Sequence, residues 1–402
     1  MGHDSTGTWL KVWKNLIWTA ASAILVVTMA TKSSTANRID YLDWLRGFAV
    51  LGMFEVHCYD AWLGGSARQS TFFHLTQLSG TVPAPLFIFL SGITFALITT
   101  GMRRKGADAN KIAARTIRRG AEIFVLGLVF RVQEYVLGQP WAPNTDLARV
   151  DVLNLIGLTI MAMGAVSWLF RGRTANALAA LGIAAGISMV TPMLWTIWRP
   201  QWLPWYIESY INGVHIFDKP QPWLFPLFPW AAFGFAGLAV GFFLFSDWAS
   251  EHRSQALGIV GAAGVGLYFV SQWFDASPIH LYPVYDYWHT SPNFFLLRVG
   301  IVMGVIAAGY AWCRWGLGSM GFSPLKQLGQ TSLLVYWVHI EFVYGRFTIL
   351  TQQAQSIWTA TLGLIVITLA MLLLSIVRTK CKGHGSEILA WIRRLPETSM
   401  GD

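Results

Sequence analysis

Apolar residues occur along this chain in runs long enough to cross a lipid bilayer, and the connections between the runs carry most of the charged residues. About 20 apolar residues in a helix match the thickness of the hydrocarbon core. Ten such segments are predicted, at about residues 47–62, 83–101, 120–138, 151–170, 175–195, 225–246, 255–274, 293–313, 330–350 and 357–377. The pattern therefore predicts an all-α protein, a polytopic membrane helix bundle of about ten transmembrane helices.

Residues 1–37 leave the helix count open between ten and eleven. Their apolar part is short and has Lys11, Lys14 and Lys32 on both sides, so it fits an extra span, an interfacial helix or a signal-like segment. We expect three regions: an N-terminal extension of residues 1–37, a transmembrane domain of residues 38–378 and a basic cytoplasmic tail of residues 379–402.

The composition supports a membrane protein and indicates its orientation. With 54% hydrophobic and 12% charged residues, the chain has too little polar surface for a soluble globule. Seventeen Lys and Arg residues fall on one side of the ten predicted spans and four on the other. Because basic residues near span ends stay in the cytoplasm, the C-terminus and the start of the first core helix are predicted to be cytoplasmic. This asymmetry and attraction to anionic lipid account for the net charge of +9 without nucleic acid as a partner.

The first predicted span carries ionisable side chains within an apolar helix: Arg46, Glu55, His57 and Asp60. Such groups are costly in a bilayer and are functional candidates by default. Arg46 and His57 are close to three helical turns apart, on one face and roughly 16 Å apart along the axis. The spacing suits a helix that binds a charged ligand at one depth and handles protons at another. The alternative for Arg46 is an ion pair with Asp43.

Polar residues also occur at the outer ends of the third and fourth predicted spans. Arg131 and Glu134 can pair at i,i+3, either as a structural ion pair or around a substrate. Asp151 and Asn154 begin the fourth helix, where a helix-capping role competes with a substrate-binding one.

The ninth predicted span, LGQTSLLVYWVHIEFVYGRF, carries Tyr336, His339, Glu341 and Arg346. His339 and Arg346 are two turns apart on one helical face. A helix with so many polar groups is not expected to face lipid all round. It either lines the same cavity as the first helix or forms an internal hydrogen-bonded brace.

Several other kinds of site are not indicated by the sequence. The three cysteines form no obvious pair, because Cys58 falls at an outer helix end while Cys313 and Cys381 fall on the inner side. No zinc-ligand spacing, phosphate-binding loop or dinucleotide-binding motif appears, and no metal is expected.

The order of five segments is characteristic: RIDYLDWLRGFAVLGMFEVH, APLFIFLSG, DVLNLIGL, LFPWAAFGFAGLAVG and LGQTSLLVYWVHIEFVYG. Over about residues 38–350 this series resembles bacterial members of the heparan-alpha-glucosaminide N-acetyltransferase-like transmembrane acyltransferases. Arg46 and His57 more distantly resemble an arginine and a histidine of the acyltransferase-3 family. The resemblance implies an acyl-CoA donor, expected to be acetyl-CoA, bound from the cytoplasmic side of a bacterial inner (plasma) membrane. The acyl group would pass to a sugar amine or hydroxyl at the outer face.

The resemblance leaves the general base open between two histidines. In the lysosomal members an asparagine stands where His57 stands here, and the catalytic histidine lies in the following loop, where His74 is found. A histidine suits the role because its pKa is near neutral. Asp60 could orient the His57 ring, whereas Glu55 points away from His57 and would serve another partner.

The remaining candidates are assigned to binding. Arg46, Asp43 and Arg131 are expected at the donor, and the acceptor candidates are Asp151, Asn154, Tyr336, His339 and Glu341. Expected partners are membrane lipid and a glycan or lipid-linked sugar, and a homodimer stays an open alternative. The competing hypotheses are a transporter or flippase with a buried His/Glu/Arg relay and a catalytically silent scaffold.

Overall fold

The computed structural model describes residues 38–140, 142–212, 215–216, 219–220, 225–278, 282, 286–316 and 321–381. The predictions for residues 1–37 and for the basic tail beyond Cys381 fall outside the described residues.

The described chain is helical, as predicted, apart from one short ribbon. The helices are α1 Asp40–Trp62, α2 Gly65–Arg68, α3 Thr71–Ser79, α4 Pro83–Arg104, α5 Ala109–Leu137, α6 Val152–Leu169, α7 Arg173–Thr196, α8 Trp205–Ile211, α9 Leu227–Leu244, α10 Asp247–Glu251, α11 Arg253–Ala276, α12 Pro292–Trp315, α13 Pro324–Gln330, α14 Ser332–Val343 and α15 Ile357–Lys380. A 3₁₀ helix, Asn144–Ala148, precedes α6. Two antiparallel two-residue strands, β1 His215–Ile216 and β2 Lys219–Pro220, pair between α8 and α9.

Each of the ten predicted segments overlaps a helix, but the count of ten spans is not confirmed. Among the described residues, seven helices are long and apolar enough to cross a membrane. Three others fall short: α1 and α5 carry several charged residues, and α14 is only 12 residues long. The predicted ninth span extended to residue 350, whereas α14 ends at Val343. Arg346 therefore lies beyond the helix that carries His339, and the prediction that they share a helical face is wrong.

Helices α4 and α9 approach closely through small residues. A methyl group at Gly92 would overlap the backbone carbonyl of Gly234, and one at Gly237 would overlap the carbonyl of Phe89. Close backbone contact through small residues is a common way for membrane helices to associate. The small residues of LFPWAAFGFAGLAVG therefore serve helix packing.

Helix α1 is enclosed by elements from the C-terminal part of the chain. Gly47 and Gly329 allow α1 and α13 to touch, since a methyl group at either position would overlap the backbone of the other helix. Beyond α14, the backbone N–H groups of Gln353 and Gln355 donate to the carbonyls of Ala61 and Trp62, at 2.9 and 2.8 Å. These bonds fix the end of α1 against the connection between α14 and α15.

Candidate active site

Two histidines from distant parts of the sequence are hydrogen-bonded side by side. His57 lies near the end of α1 and His339 lies in α14; Nδ1 of His57 and Nε2 of His339 are 2.9 Å apart. The ring planes are within 9° of parallel and the ring centroids are 5.2 Å apart. Because the nitrogens are much closer than the centroids, the rings meet edge to edge, as a hydrogen bond between ring nitrogens requires.

The two rings differ in accessibility. His339 is fully buried and its ring faces that of Phe54, at 4.8 Å between centroids. His57 is only half-buried, and the edge of the Tyr344 ring contacts it at 5.4 Å. Of the two histidines, only His57 keeps part of its surface exposed.

Nδ1 of His57 is bonded to His339, and the carboxylate of Asp60, which was expected to orient the His57 ring, bonds to other side chains. The Asp60 carboxylate accepts a hydrogen bond from the Tyr344 hydroxyl at 3.2 Å and pairs with Arg68 at 3.0 Å. Arg68 also donates to the backbone carbonyl of Asp60. Asp60 thus holds Tyr344 beside His57 and ties α2 to the end of α1.

A buried ion pair lies where α5 and α6 meet α14. Arg131 pairs with Asp151 at 2.9 Å, and the hydroxyl of Tyr336 donates to the other oxygen of the same carboxylate at 2.8 Å. The prediction of an Arg131–Glu134 pair within one helix is replaced by this cross-helix pair. Asn154 has the predicted capping contact, since its side chain accepts from the backbone N–H of Asp151 at 3.3 Å. Asp151 therefore serves both the ion pair and the start of α6.

Two buried carboxyl groups meet next to this ion pair. Glu134 and Glu341 each have one buried carboxyl oxygen that accepts no hydrogen bond within the described part of the chain. Gln133 donates to Glu341 at 2.6 Å and accepts from the indole of Trp337 at 3.0 Å. Glu341 thus joins α5 and α14 through a polar network inside the bundle.

Other sequence-predicted residues lie apart from the histidine pair. His74 is exposed on α3 and its ring contacts that of Phe73. Glu55 accepts a hydrogen bond from Ser79 at 3.1 Å, so it serves another partner as predicted. At the opposite end of α1, Arg46 pairs with Asp43 at 2.9 Å, which is the alternative weighed for it.

The sequence left open whether the ninth span lines the same cavity as the first helix or forms an internal brace. Polar side chains of α1 and α14 do converge, at the histidine pair. A cavity of about 330 Å³ lies elsewhere, between the α4–α5 and α6–α7 connections, and neither Arg46 nor His57 lines it. A passage along α1 stays a prediction. Within the described ranges, no group of three or more His, Cys, Asp or Glu residues is placed to hold a metal ion.

Sequence reasoning missed Gln133, Trp337, Tyr344 and Arg68 as members of this polar cluster. Gln133 and Trp337 belong to α5 and α14, which are about 200 positions apart in sequence. Helical spacing relates residues within one helix and carries no information on contacts of this kind. Arg68 offered one signal, a basic residue on the predicted outer side close to Asp60.

The long apolar helices and the buried ionisable cluster define an integral membrane protein. A sequence profile described as "Heparan-alpha-glucosaminide N-acetyltransferase, catalytic" matches residues 38–273. Since the match covers more than half of the chain, the protein belongs to that family of membrane acetyltransferases. The match includes His57, Arg131 and Asp151 but ends before α14. A search among curated proteins gives no match.

Proposed function

We propose that the protein transfers an acyl group, expected to be acetyl, from cytoplasmic acyl-CoA to a sugar amine or hydroxyl at the outer face, with His57 as the general base. Family membership supports acetyl transfer. The position of His57, half-buried within a polar cluster and bonded to His339 through Nδ1, supports its role as the base.

Of the two candidate histidines, His57 fits the role of general base better than His74. A general base must hold its ring in one orientation within hydrogen-bonding reach of the proton that it removes. His57 has one ring nitrogen fixed by His339 at 2.9 Å, which leaves the other for an acceptor molecule. His74 is exposed on a short helix and its ring contacts Phe73, an arrangement typical of a solvated surface histidine.

In the proposed reaction, one histidine both removes the proton from the acceptor and returns it to the leaving group. Nε2 of His57 takes the proton from the acceptor N–H or O–H as that atom attacks the thioester carbonyl carbon. The tetrahedral intermediate collapses with cleavage of the C–S bond, and the CoA thiolate takes the proton back from the His57 imidazolium. The products are the acylated acceptor and free CoA, and His57 ends in its starting state.

The two ends of α1 suggest separate places for donor and acceptor. Arg46 lies about three turns before His57 and reaches α4 through a hydrogen bond to Thr94 at 2.6 Å. Its partly exposed guanidinium group is suited to a phosphate of the donor. Arg131, by contrast, lies with Asp151 and Tyr336. That group favours a place for Arg131 on the acceptor side, instead of the donor side expected from the sequence.

The test compares two histidine variants of the purified full chain in lipid nanodiscs. His57→Ala and His74→Ala are assayed for transfer of radiolabelled acetyl from acetyl-CoA to glucosamine and to glucose. Loss of general-base catalysis typically costs 10²- to 10⁴-fold, so we expect His57→Ala to lose at least about 100-fold. His74→Ala is expected to stay within about threefold of the unmodified protein, because its ring is exposed.

Two results would contradict the proposal. Full activity of His57→Ala would exclude His57 as the base, and loss of activity in His74→Ala alone would assign that role to His74. Uptake of a sugar by reconstituted vesicles without any acyl-CoA would favour the transporter hypothesis.

A further inference from the structure

The hydrogen bonds of His339 determine which of its nitrogens carries the proton. Its Nδ1 atom lies 3.0 Å from the backbone carbonyl oxygen of Val335, one turn earlier in α14. A carbonyl oxygen only accepts hydrogen bonds, so Nδ1 of His339 must be the donor. In a neutral imidazole the other nitrogen then carries a lone pair. Nε2 of His339 is therefore an acceptor.

This acceptor in turn determines the tautomer of His57. Nδ1 of His57 lies 2.9 Å from Nε2 of His339, and a hydrogen bond at this distance needs one donor. Since His339 accepts, Nδ1 of His57 carries the proton and donates it. Nε2 of His57 is left as the basic nitrogen.

Other proton arrangements are disfavoured by the surroundings of His339. If His57 accepted from Nε2 of a neutral His339, the lone pair on Nδ1 of His339 would face the Val335 carbonyl oxygen. An imidazolium at His339 would be a cation in a fully buried side chain packed against Phe54. Its hydrogen-bond partners, His57 and the backbone, carry no negative charge to offset the desolvation.

We infer that His339 is a positioning residue that holds His57 in the tautomer with the proton on Nδ1 and the reactive lone pair on Nε2. The inference rests on the proposed role of His57 as the base. When Nε2 of His57 takes a proton, its Nδ1–H continues to donate to His339, and the bond becomes stronger because the donor is now charged. The role corresponds to that of the buried aspartate in a Ser-His-Asp triad, with a neutral acceptor in place of the carboxylate.

The positioning group comes from outside the family-matched segment. His57 lies within residues 38–273, whereas His339 and Val335 belong to α14. Val335 is fully buried, so the carbonyl that fixes His339 belongs to a well-packed part of the helix. The matched segment therefore does not contain everything that sets the protonation state of His57.

The first test uses three variants of His339 that separate its two hydrogen bonds. The carbonyl oxygen of His339→Gln can reach the place of Nε2 and accept from His57. His339→Asn is shorter and can reach only the Val335 side, and His339→Leu makes neither bond. We expect His339→Gln to keep at least about a tenth of kcat, while His339→Asn and His339→Leu lose at least about 100-fold, with KM for both substrates within about threefold. Equal loss in all three variants would overturn the inference.

A matched control comes from a second histidine with the same local contact. Nδ1 of His252 lies 3.2 Å from the carbonyl oxygen of Trp248, one turn earlier, but His252 is exposed. His252→Gln is expected to leave kcat unchanged. A comparable loss of kcat in this variant would mean that the effects at His339 do not arise from its bond to His57.

The second test reads the tautomer directly and does not depend on activity. Solid-state NMR of ¹⁵N-histidine-labelled protein in lipid, with the His57 signals assigned by their loss in His57→Asn, is expected to show a protonated Nδ1 and an unprotonated Nε2. In His339→Leu we expect the proton to redistribute toward Nε2. A protonated Nε2 on His57 in the unmodified protein would overturn the inference even if His57 proves to be the base. The predicted tautomer in a protein whose His57→Ala variant is fully active would contradict only the proposed function.

Discussion

Tyr336 and Asp151, 185 positions apart, are joined by a hydrogen bond of 2.8 Å from the tyrosine hydroxyl to the carboxylate. The second oxygen of Asp151 pairs with Arg131 at 2.9 Å. One carboxylate thus connects α5, the start of α6 and α14. The Tyr336 ring also contacts that of His339, at 5.9 Å between centroids, so this carboxylate is linked to the histidine pair.

The Arg131–Asp151 pair is expected to be important for stability. Both side chains are buried, and removing one partner of a buried pair leaves a charge without compensation, at about 3–5 kcal/mol. Asp151→Asn should therefore lower the unfolding temperature in detergent strongly. The exposed Glu122, which pairs with Arg118 at 3.2 Å and with Arg119 at 3.1 Å, provides the control, and Glu122→Gln should cost less than about 1 kcal/mol. Equal shifts in the two variants would refute the prediction.

Close contact between α4 and α9 gives a second prediction. A side chain at Gly237 would overlap the backbone of Phe89, so Gly237→Ala should cost about 1–3 kcal/mol through overpacking. Gly182 in α7 has open space where its side chain would be, and Gly182→Ala should be neutral or slightly stabilising. Thermal unfolding of both variants in one detergent measures the difference. A Gly237→Ala protein as stable as Gly182→Ala would show that the helices are not in contact there.

Asp247, at the start of α10 outside the spanning helices, gives a pH prediction. Hydrogen bonds from Arg173 and Arg104, each at 2.8 Å, lower the pKa of this exposed carboxyl below its usual value. A depressed pKa in the folded state stabilises the protein above the unfolded pKa of about 3.9, and the stabilisation is lost as pH falls through the folded value. Asp247→Asn should therefore have a lower unfolding temperature at pH 7, and the difference should shrink below about pH 4.

The control for Asp247 removes its partners. In a protein carrying Arg104→Gln and Arg173→Gln, the effect of Asp247→Asn at pH 7 should largely disappear. High salt should reduce the effect too, because exposed pairs are screened. Persistence of the full effect in the double-arginine background would be sufficient to reject the explanation.

Cysteine accessibility tests the predicted orientation. Cys381 is half-buried at the end of α15 and is predicted to be cytoplasmic, whereas Cys58 is fully buried in α1. In a Cys313→Ser background, a membrane-impermeant maleimide should label Cys381 in inside-out vesicles and not in right-side-out vesicles. Cys58 should stay unlabelled in both until the protein is denatured. Labelling of Cys381 from the outer side would reverse the predicted topology.

The helical class and the order of helices could be predicted from the sequence because apolar length depends on residues that are adjacent in the chain. Each predicted segment falls on a helix, from α1 to α15. The positions at which the helices begin and end were less predictable. Helix α14 stops at Val343 although apolar and aromatic residues continue, and its start is separated from α13 at Thr331. Apolarity alone does not mark where a helix ends inside a bundle.

The sequence predicted which residues belong to the candidate site better than it predicted the contacts between them. His57 and His339 were recognised because ionisable residues in apolar helices are rare. The bond between them, and the choice of Asp151 over Glu134 as the partner of Arg131, depend on how helices pack. Within one helix, Arg131 and Glu134 are well spaced for pairing, but Arg131 instead pairs with the carboxylate of Asp151 at the start of α6.

The bonds from Gln353 and Gln355 to the last turn of α1 have a consequence for biosynthesis. A ribosome delivers α1 early and the α14–α15 connection late, so His57 enters the membrane long before the residues that enclose it are made. Until α14 is made, the His57 imidazole lacks the hydrogen bond to His339. Chains terminated before residue 332 should insert yet remain inactive, which delays the onset of chemistry until translation is nearly complete.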